Sequence, residues 1–171
     1  MNVTKFLDGK RIAYKVYSHS NTYDAQHLAA ALRIPGVHVA KTVLLRADGG
    51  FKYLVAVIPA TARVDLKRIS CAFGGAAVRL ATEFEIAERC PDCDFGVLPP
   101  FGSQFGVETI VDESLAKHED LFFAGATHDE AIRMRYSDFY DVERPLVMSL
   151  IQRDDSHDPP LALSVKTGEA I

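Results

Sequence analysis

The motif Cys90-Pro91-Asp92-Cys93 has the spacing of a zinc half-site or of a redox pair. A zinc site needs two further ligands, but Cys71 is the only other cysteine, and the sequence holds no second CxxC and no HxxxH. A redox motif should open a helix after a strand, whereas this one ends a helical stretch and enters a loop. The residues favour a structural role for the pair and leave the metal and redox alternatives open.

Lys41 and His128 are the other side chains whose surroundings suggest chemistry. Lys41 lies within the apolar strand-like residues 39–45, on the same face as Val39 and Val43. Such a lysine either extends along a sheet edge into water or holds an anion in a cleft. His128 follows Gly125-Ala126-Thr127, a turn between two predicted strands, where functional side chains often collect. A surface or packing role is the alternative for each residue.

Residues 95–106 form an unusual loop rich in glycine and proline. Gly96, Gly102 and Gly106 permit backbone conformations that are closed to other residues. Pro99 and Pro100 stiffen the chain and lack an N–H group. The remaining N–H groups could point into a cleft as a receptor for an anion or a carbonyl oxygen. The alternative is a loop with a purely structural role.

Composition limits the classes of protein to which the chain can belong. Its 171 residues and 18.8 kDa suit one domain. A net charge of −4 excludes a strongly basic protein that coats nucleic acid, and no DNA partner is expected. The longest apolar run, residues 53–60, is far below the roughly 20 residues of a membrane helix. Three cysteines make no disulfide framework, and the first residues resemble no secretory signal. We therefore expect a cytoplasmic protein with no membrane partner.

Helix and strand signals alternate along the chain. Residues 39–46 and 51–58 flank the turn sequence Asp48-Gly49-Gly50, which predicts a β-hairpin. No GxGxxG follows a strand and no GxxxxGK[ST] is present, so the usual nucleotide-binding motifs are absent. These signals predict a mixed α/β or α+β domain over residues 1–152, followed by a C-terminal tail, 153–171, with a short docking segment at 161–165. Helix N-caps are predicted at Asn2, Asp24, Asp65 and Thr82, the last in a capping box with Glu85.

Several short motifs occur in an order that resembles one known family. They are Lys41-Thr42-Val43-Leu44-Leu45, Ala81-Thr82-Glu83, Pro91-Asp92-Cys93, Gly96-Val97-Leu98-Pro99-Pro100-Phe101-Gly102, Val111-Asp112-Glu113, Gly125-Ala126-Thr127-His128 and Asp138-Phe139. Over residues 18–150 the chain resembles the YbaK and prolyl-tRNA synthetase-associated (INS-like) family of aminoacyl-tRNA editing domains, in a free-standing form. Cys90 departs from the family pattern, which weakens the metal interpretation of the CxxC pair.

The resemblance implies an α+β fold, a single compact domain with a curved, mostly antiparallel mixed β-sheet and flanking helices. It implies a trans-acting deacylase that hydrolyses the ester between a small, wrong amino acid and a tRNA, usually the tRNA for proline. No metal and no other cofactor are implied. The implied partners are the acceptor end of aminoacyl-tRNA and prolyl-tRNA synthetase. The alternative is a non-catalytic module that binds an aminoacyl or nucleotide end, or docks on a synthetase.

The resemblance also implies roles for individual residues. Lys41 corresponds to a lysine that contacts the terminal adenosine and its phosphate, and a cation suits that anion. Residues 96–100 correspond to the backbone that binds the aminoacyl end and polarises the ester carbonyl. His128 corresponds to a histidine that positions substrate or water. The implied catalytic residues are Lys41, Gly96, Gly102 and His128, and the implied substrate-binding residues are Thr42, Val97, Leu98, Pro99, Pro100, Phe101 and Asp138, with Phe101 in the pocket wall.

Overall fold

Two β-sheets and five short helices make up the described part of the chain. The computed structural model describes residues 2–48 and 52–152, so the predicted tail 153–171 and its segment 161–165 lie outside the described residues. Among the described helices, none is long and apolar enough to cross a membrane. The helices are α1 (Val3–Gly9), α2 (Ala25–Leu32), α3 (Leu66–Ala72), α4 (Glu83–Arg89) and α5 (Tyr136–Glu143). The strands are β1 (Tyr14–Ser18), β2 (Ala40–Ala47), β3 (Tyr53–Pro59), β4 (Val78–Leu80), β5 (Glu108–Asp112), β6 (Asp120–Ala124), β7 (Glu130–Arg135) and β8 (Leu146–Met148).

The strands pair in a three-stranded sheet, β1-β7-β6, and a five-stranded sheet, β4-β2-β3-β5-β8. Of the six pairings between described strands, only β3–β5 and β5–β8 are parallel. The α+β class and the mostly antiparallel pairing are confirmed. The strands lie in two sheets, however, and not in the one curved sheet expected. Strand β6 pairs with β7, and β7 with β1, and this group meets the other sheet at the isolated bridge between Phe122 and Val39, the residue before β2.

Strand β3 is buried along its whole length because both faces of the larger sheet are covered. Val55 and Val57 point into the cluster that also holds α1 and α5 side chains. Leu54, Ala56 and Ile58 point into the opposite cluster, under α3. A strand buried on both faces reads as a continuous apolar run, which is what residues 53–58 show. This hairpin of β2 and β3 is the rigid support on which the site is built.

The predicted N-caps explain where four of the helices begin. Side-chain oxygens of Asn2, Asp24 and Asp65 accept hydrogen bonds of 2.8–2.9 Å from the backbone N–H three residues later. Thr82 and Glu85 form the reciprocal capping box. As a result α2 and α4 start directly after Asp24 and Thr82, and these two helix ends lie beside the site.

The first half of β2 leaves an edge that no strand covers among the described residues. Strand β4 pairs only with Leu45, Arg46 and Ala47. The smaller sheet approaches β2 at the bridge between Val39 and Phe122. A cleft therefore opens along residues 40–44, where the two sheets separate.

Candidate functional site

A cleft of about 310 Å³ lies between the open edge of β2, the start of α2, the start of α4 and the two loops 94–98 and 125–129. This volume is at the lower end of the range for small-ligand sites, roughly 300–1,000 Å³. The wall is mostly apolar, with Leu28, Leu44 and Ile86 among its members. The structure brings six predicted site residues together in it, namely Lys41, Thr42, Gly96, Val97, Leu98 and His128.

Lys41 supplies the positive charge of the cleft. Its Nζ donates a hydrogen bond of 2.7 Å to the carbonyl oxygen of Ala62, just beyond β3. Burial lowers the pKa of the Lys41 ammonium, the nearby Arg63 cation lowers it further, and Asp24 opposes the change. An ammonium has three donors, and the described residues accept from one of them, which leaves two N–H bonds for an anion.

His128 connects the two loops that form one end of the cleft. Its Nδ1 lies 3.0 Å from the carbonyl oxygen of Thr22, and its Nε2 lies 3.1 Å from that of Phe95. Its backbone N–H donates to the Asp94 carboxylate at 2.9 Å, and its carbonyl accepts from the Thr22 N–H at 2.8 Å. The Tyr23 ring packs at 4.7 Å from the imidazole. A neutral imidazole donates to one of these two carbonyl oxygens and the protonated ring donates to both, and in either form the ring lies between Thr22 and Phe95 and connects their two segments.

We expect His128→Ala to lower the free energy of unfolding by about 1–2 kcal/mol, because it removes hydrogen bonding of the ring to backbone carbonyl oxygens and its packing against Tyr23. Urea unfolding followed by circular dichroism measures this difference. His27→Ala is the matched control, because His27 is largely exposed and bonds only to the neighbouring Asp24 cap. If His128→Ala destabilises the protein no more than His27→Ala does, His128 does not connect the two loops.

Loop 94–98 borders the cleft with Gly96, Val97 and Leu98. The Asp94 N–H donates to Ala126 O at 2.8 Å and the Val97 N–H to Asp94 O at 2.9 Å, which fix both ends of the turn. Gly96 has φ +80°, a left-handed conformation that L side chains rarely adopt. Within residues 2–48 and 52–152, no group accepts from the N–H of Gly96 or of Leu98. Two N–H groups beside a cleft can polarise a carbonyl oxygen.

Phe101 and Gly102 belong to the core and not to the cleft, which corrects the roles expected for them. The Phe101 ring is fully buried and packs against Phe6 and Phe139 from α1 and α5. The Gly102 N–H donates to Thr109 Oγ1, and a Cβ on Gly102 would lie 2.5 Å from that oxygen. The lack of space for a Cβ therefore explains why glycine occupies position 102. The structure also leaves Pro99, Pro100 and Asp138 outside the cleft lining.

Two acidic residues of the cleft, Asp24 and Glu83, were not predicted as site residues. Both lie at the start of a helix that borders the cleft, α2 and α4. In the sequence, Asp24 is explained by its role as a helix cap, and Glu83 by the capping-box segment around it. The first turns of the two helices meet Lys41 in one cleft only in the tertiary structure, so the sequence gives no signal for these two acids.

The CxxC pair lies next to the loop and forms a disulfide. Cys90 and Cys93 are bonded to each other, whereas Cys71 is an exposed free cysteine. Sulfur atoms that are bonded to each other cannot serve as thiolate ligands at the same time. Among the described residues, no group of three or more His, Cys, Asp or Glu side chains could hold a metal ion.

The fold and the site define a small α+β domain with a mostly apolar cleft that contains a lysine. The family model for the aminoacyl-tRNA editing domain matches residues 19–142, and the chain belongs to this family. Solved structures share the fold. A candidate trans-editing enzyme for prolyl-tRNA synthetase is 20% identical, with a TM-score of 0.72 over 82% of this chain and 87% of that one. A hypothetical protein is 18% identical, with a TM-score of 0.79 over 88% and 99% of the two chains.

Proposed function

We propose that this protein is a trans-acting deacylase that hydrolyses the ester of a mischarged tRNA, namely tRNA for proline carrying a small non-cognate amino acid. The observation that carries the proposal is a cleft lined by Lys41, Gly96 and Leu98, in which the backbone N–H groups of the last two have no acceptor among the described residues. These are the two receptors that an aminoacyl-tRNA end needs, one for a phosphate and one for an ester carbonyl. The editing-domain family and the structural neighbour described as a trans-editing enzyme for prolyl-tRNA synthetase support the choice of substrate.

The proposed reaction is hydrolysis of the acyl C–O bond. The loop N–H groups bind the carbonyl oxygen and stabilise the negative charge that develops there, an effect worth about 3 kcal/mol per well-placed donor. Lys41 holds the phosphate of the terminal nucleotide. Water attacks the carbonyl carbon with help from the neighbouring ribose hydroxyl. The ester oxygen leaves with a proton as the ribose hydroxyl, and the free amino acid departs.

His128 keeps the loop and the start of α2 at a fixed separation in this reaction. Its ring lies between the carbonyl oxygens of Thr22 and Phe95, so we assign it the orientation of the receptor and not the removal of a proton from water. Val97 and Leu98 are nearly buried and form the apolar wall beside the carbonyl receptor. A small apolar space of this kind suits a short amino-acid side chain.

A non-catalytic binding module is the second candidate, and one observation favours it. His128 is the histidine among the described cleft residues, and both of its ring nitrogens lie within 3.1 Å of backbone carbonyl oxygens, which places the ring poorly for a general base. A module of this type would capture an aminoacyl end on the same loop, or would dock on prolyl-tRNA synthetase. Either function uses charged tRNA, so both place the protein in the cytoplasm.

Deacylation of a panel of mischarged tRNAs distinguishes these two functions. The panel contains Ala, Cys, Ser, Thr and Pro on tRNA for proline, together with alanine and serine on their own tRNAs. We expect rapid release of one small amino acid from tRNA for proline and slow release of proline itself. Folded protein that binds these tRNAs but releases nothing would support the binding module.

A further inference from the structure

Glu83 places a carboxylate directly beside the carbonyl receptor. It is the first residue of α4 and part of the cleft lining. A Cβ built on Gly96 would lie only 3.4 Å from Glu83 Oε2. The carboxylate therefore lies next to the backbone of Gly96, whose N–H is one of the two free donors.

The negative charge of Glu83 has no partner among the described residues. No side chain or backbone group there forms a hydrogen bond or ion pair with it, although its neighbour Glu85 is held by Arg79 and by the Thr82 N–H. The other acid of the cleft, Asp24, is occupied by the backbone and ring of His27. Glu83 is thus the carboxylate that remains available to a ligand.

We propose that Glu83 binds the α-ammonium group of the aminoacyl ester and makes the site selective for an unblocked amino acid. This inference rests on the proposed function. In an aminoacyl ester the amino nitrogen is two bonds from the carbonyl carbon, so a group that sits on the carbonyl receptor must place its nitrogen nearby. A carboxylate there forms an ion-paired hydrogen bond to an ammonium, and only a weaker hydrogen bond to the neutral N–H of an amide.

The consequence is that the site discriminates aminoacyl ends from N-acylated ends. An N-acylated amino acid, such as the last residue of a peptide on tRNA, has lost the positive charge and adds bulk near Glu83. A deacylase with this receptor would remove single amino acids and leave nascent peptides attached.

The test compares binding of two non-hydrolysable probes to the full chain. Both carry alanine on adenosine through a 3′-amide bond, one with a free amine and one N-acetylated. By calorimetry we expect the wild-type protein to bind the free amine about 10- to 100-fold more tightly. Glu83→Gln should reduce this ratio to near one, mainly by weakening the free amine. Glu88→Gln, an exposed residue of the same helix, is the matched control and should keep the wild-type ratio.

An unchanged ratio in Glu83→Gln, or a wild-type protein with no preference, would overturn the inference. Circular dichroism checks that Glu83→Gln is folded, and Glu83→Asp, which keeps the charge, should retain part of the preference. Because binding is measured without turnover, the result is independent of the deacylation panel. If the wild-type protein prefers the free amine but hydrolyses none of the panel, the binding role of Glu83 stands and the deacylase function is rejected.

Discussion

Lys41→Ala is expected to reduce the rate of deacylation, measured as kcat/KM on the best substrate of the panel, by about 100-fold. The reason is the loss of the cation that holds the terminal phosphate. Without it the ester carbonyl is no longer held against the N–H groups of Gly96 and Leu98, and misplaced substrate reacts slowly. Lys41→Arg should recover only part of the activity, because the broader guanidinium does not fit a half-buried position built for an ammonium.

The fold should survive this substitution. The pKa of Lys41 is lowered chiefly by burial, which means that folding disfavours the charged form. Removing the charge relieves this cost and offsets the lost hydrogen bond to Ala62. Lys67→Ala, on the exposed side of α3, is the matched control and should keep wild-type activity. Equal activities of the two variants would show that Lys41 is not part of the site.

The local features of the fold were predictable from the sequence. The caps at Asn2, Asp24, Asp65 and Thr82 each satisfy backbone N–H groups within three residues, so the sequence contains the complete interaction. The β2–β3 hairpin is likewise a contact between neighbours in the chain. Burial on both faces of β3 was implied by its apolar run.

The pairing of the strands was not predictable in the same way. Strand β3 pairs in parallel with β5, about fifty residues later, and β5 pairs in parallel with β8. Parallel partners are selected by the packing of connecting segments and not by a turn between them. The short strand β8 carries no signal of its own, and residues 146–151 were equally compatible with a helix or a strand. The separation into two sheets therefore appears only when all the strands are placed.

The candidate site was predictable where the chain itself is unusual. Lys41 interrupts an apolar strand, loop 94–98 contains a glycine with φ +80°, and His128 sits in a tight turn, so each stands out from its neighbours. Glu83 does not stand out, because an acid in the first turn of a helix is ordinary. Its part in the cleft depends on the approach of α4 to the loop, and that approach is set by the core.

The loop motif next to Phe101 suggested a place in the pocket wall, whereas the ring lies in the core. Its substitution therefore has the largest expected effect on stability. Phe101 directly follows the loop that borders the cleft, yet its ring points the other way, into a cluster with Phe6 at 5.2 Å, Phe123 at 5.6 Å and Phe139 at 5.8 Å. We expect Phe101→Ala to lower the free energy of unfolding by about 3–5 kcal/mol, the usual loss for a buried phenylalanine that leaves a cavity. Urea unfolding measures it.

Phe95→Ala is the matched control for this substitution. Phe95 lies six residues earlier in the same connection and is 68% exposed, so its loss should change the stability by at most about 0.5 kcal/mol. A Phe101→Ala protein as stable as the control, with altered preference among the panel substrates, would place the ring in the pocket instead. The stability of a domain of this size is only about 5–15 kcal/mol, so the expected loss consumes a large part of it. Phe101→Ala should therefore lose activity by unfolding at moderate temperature, whereas Lys41→Ala should lose it while folded, and this contrast separates the core from the site.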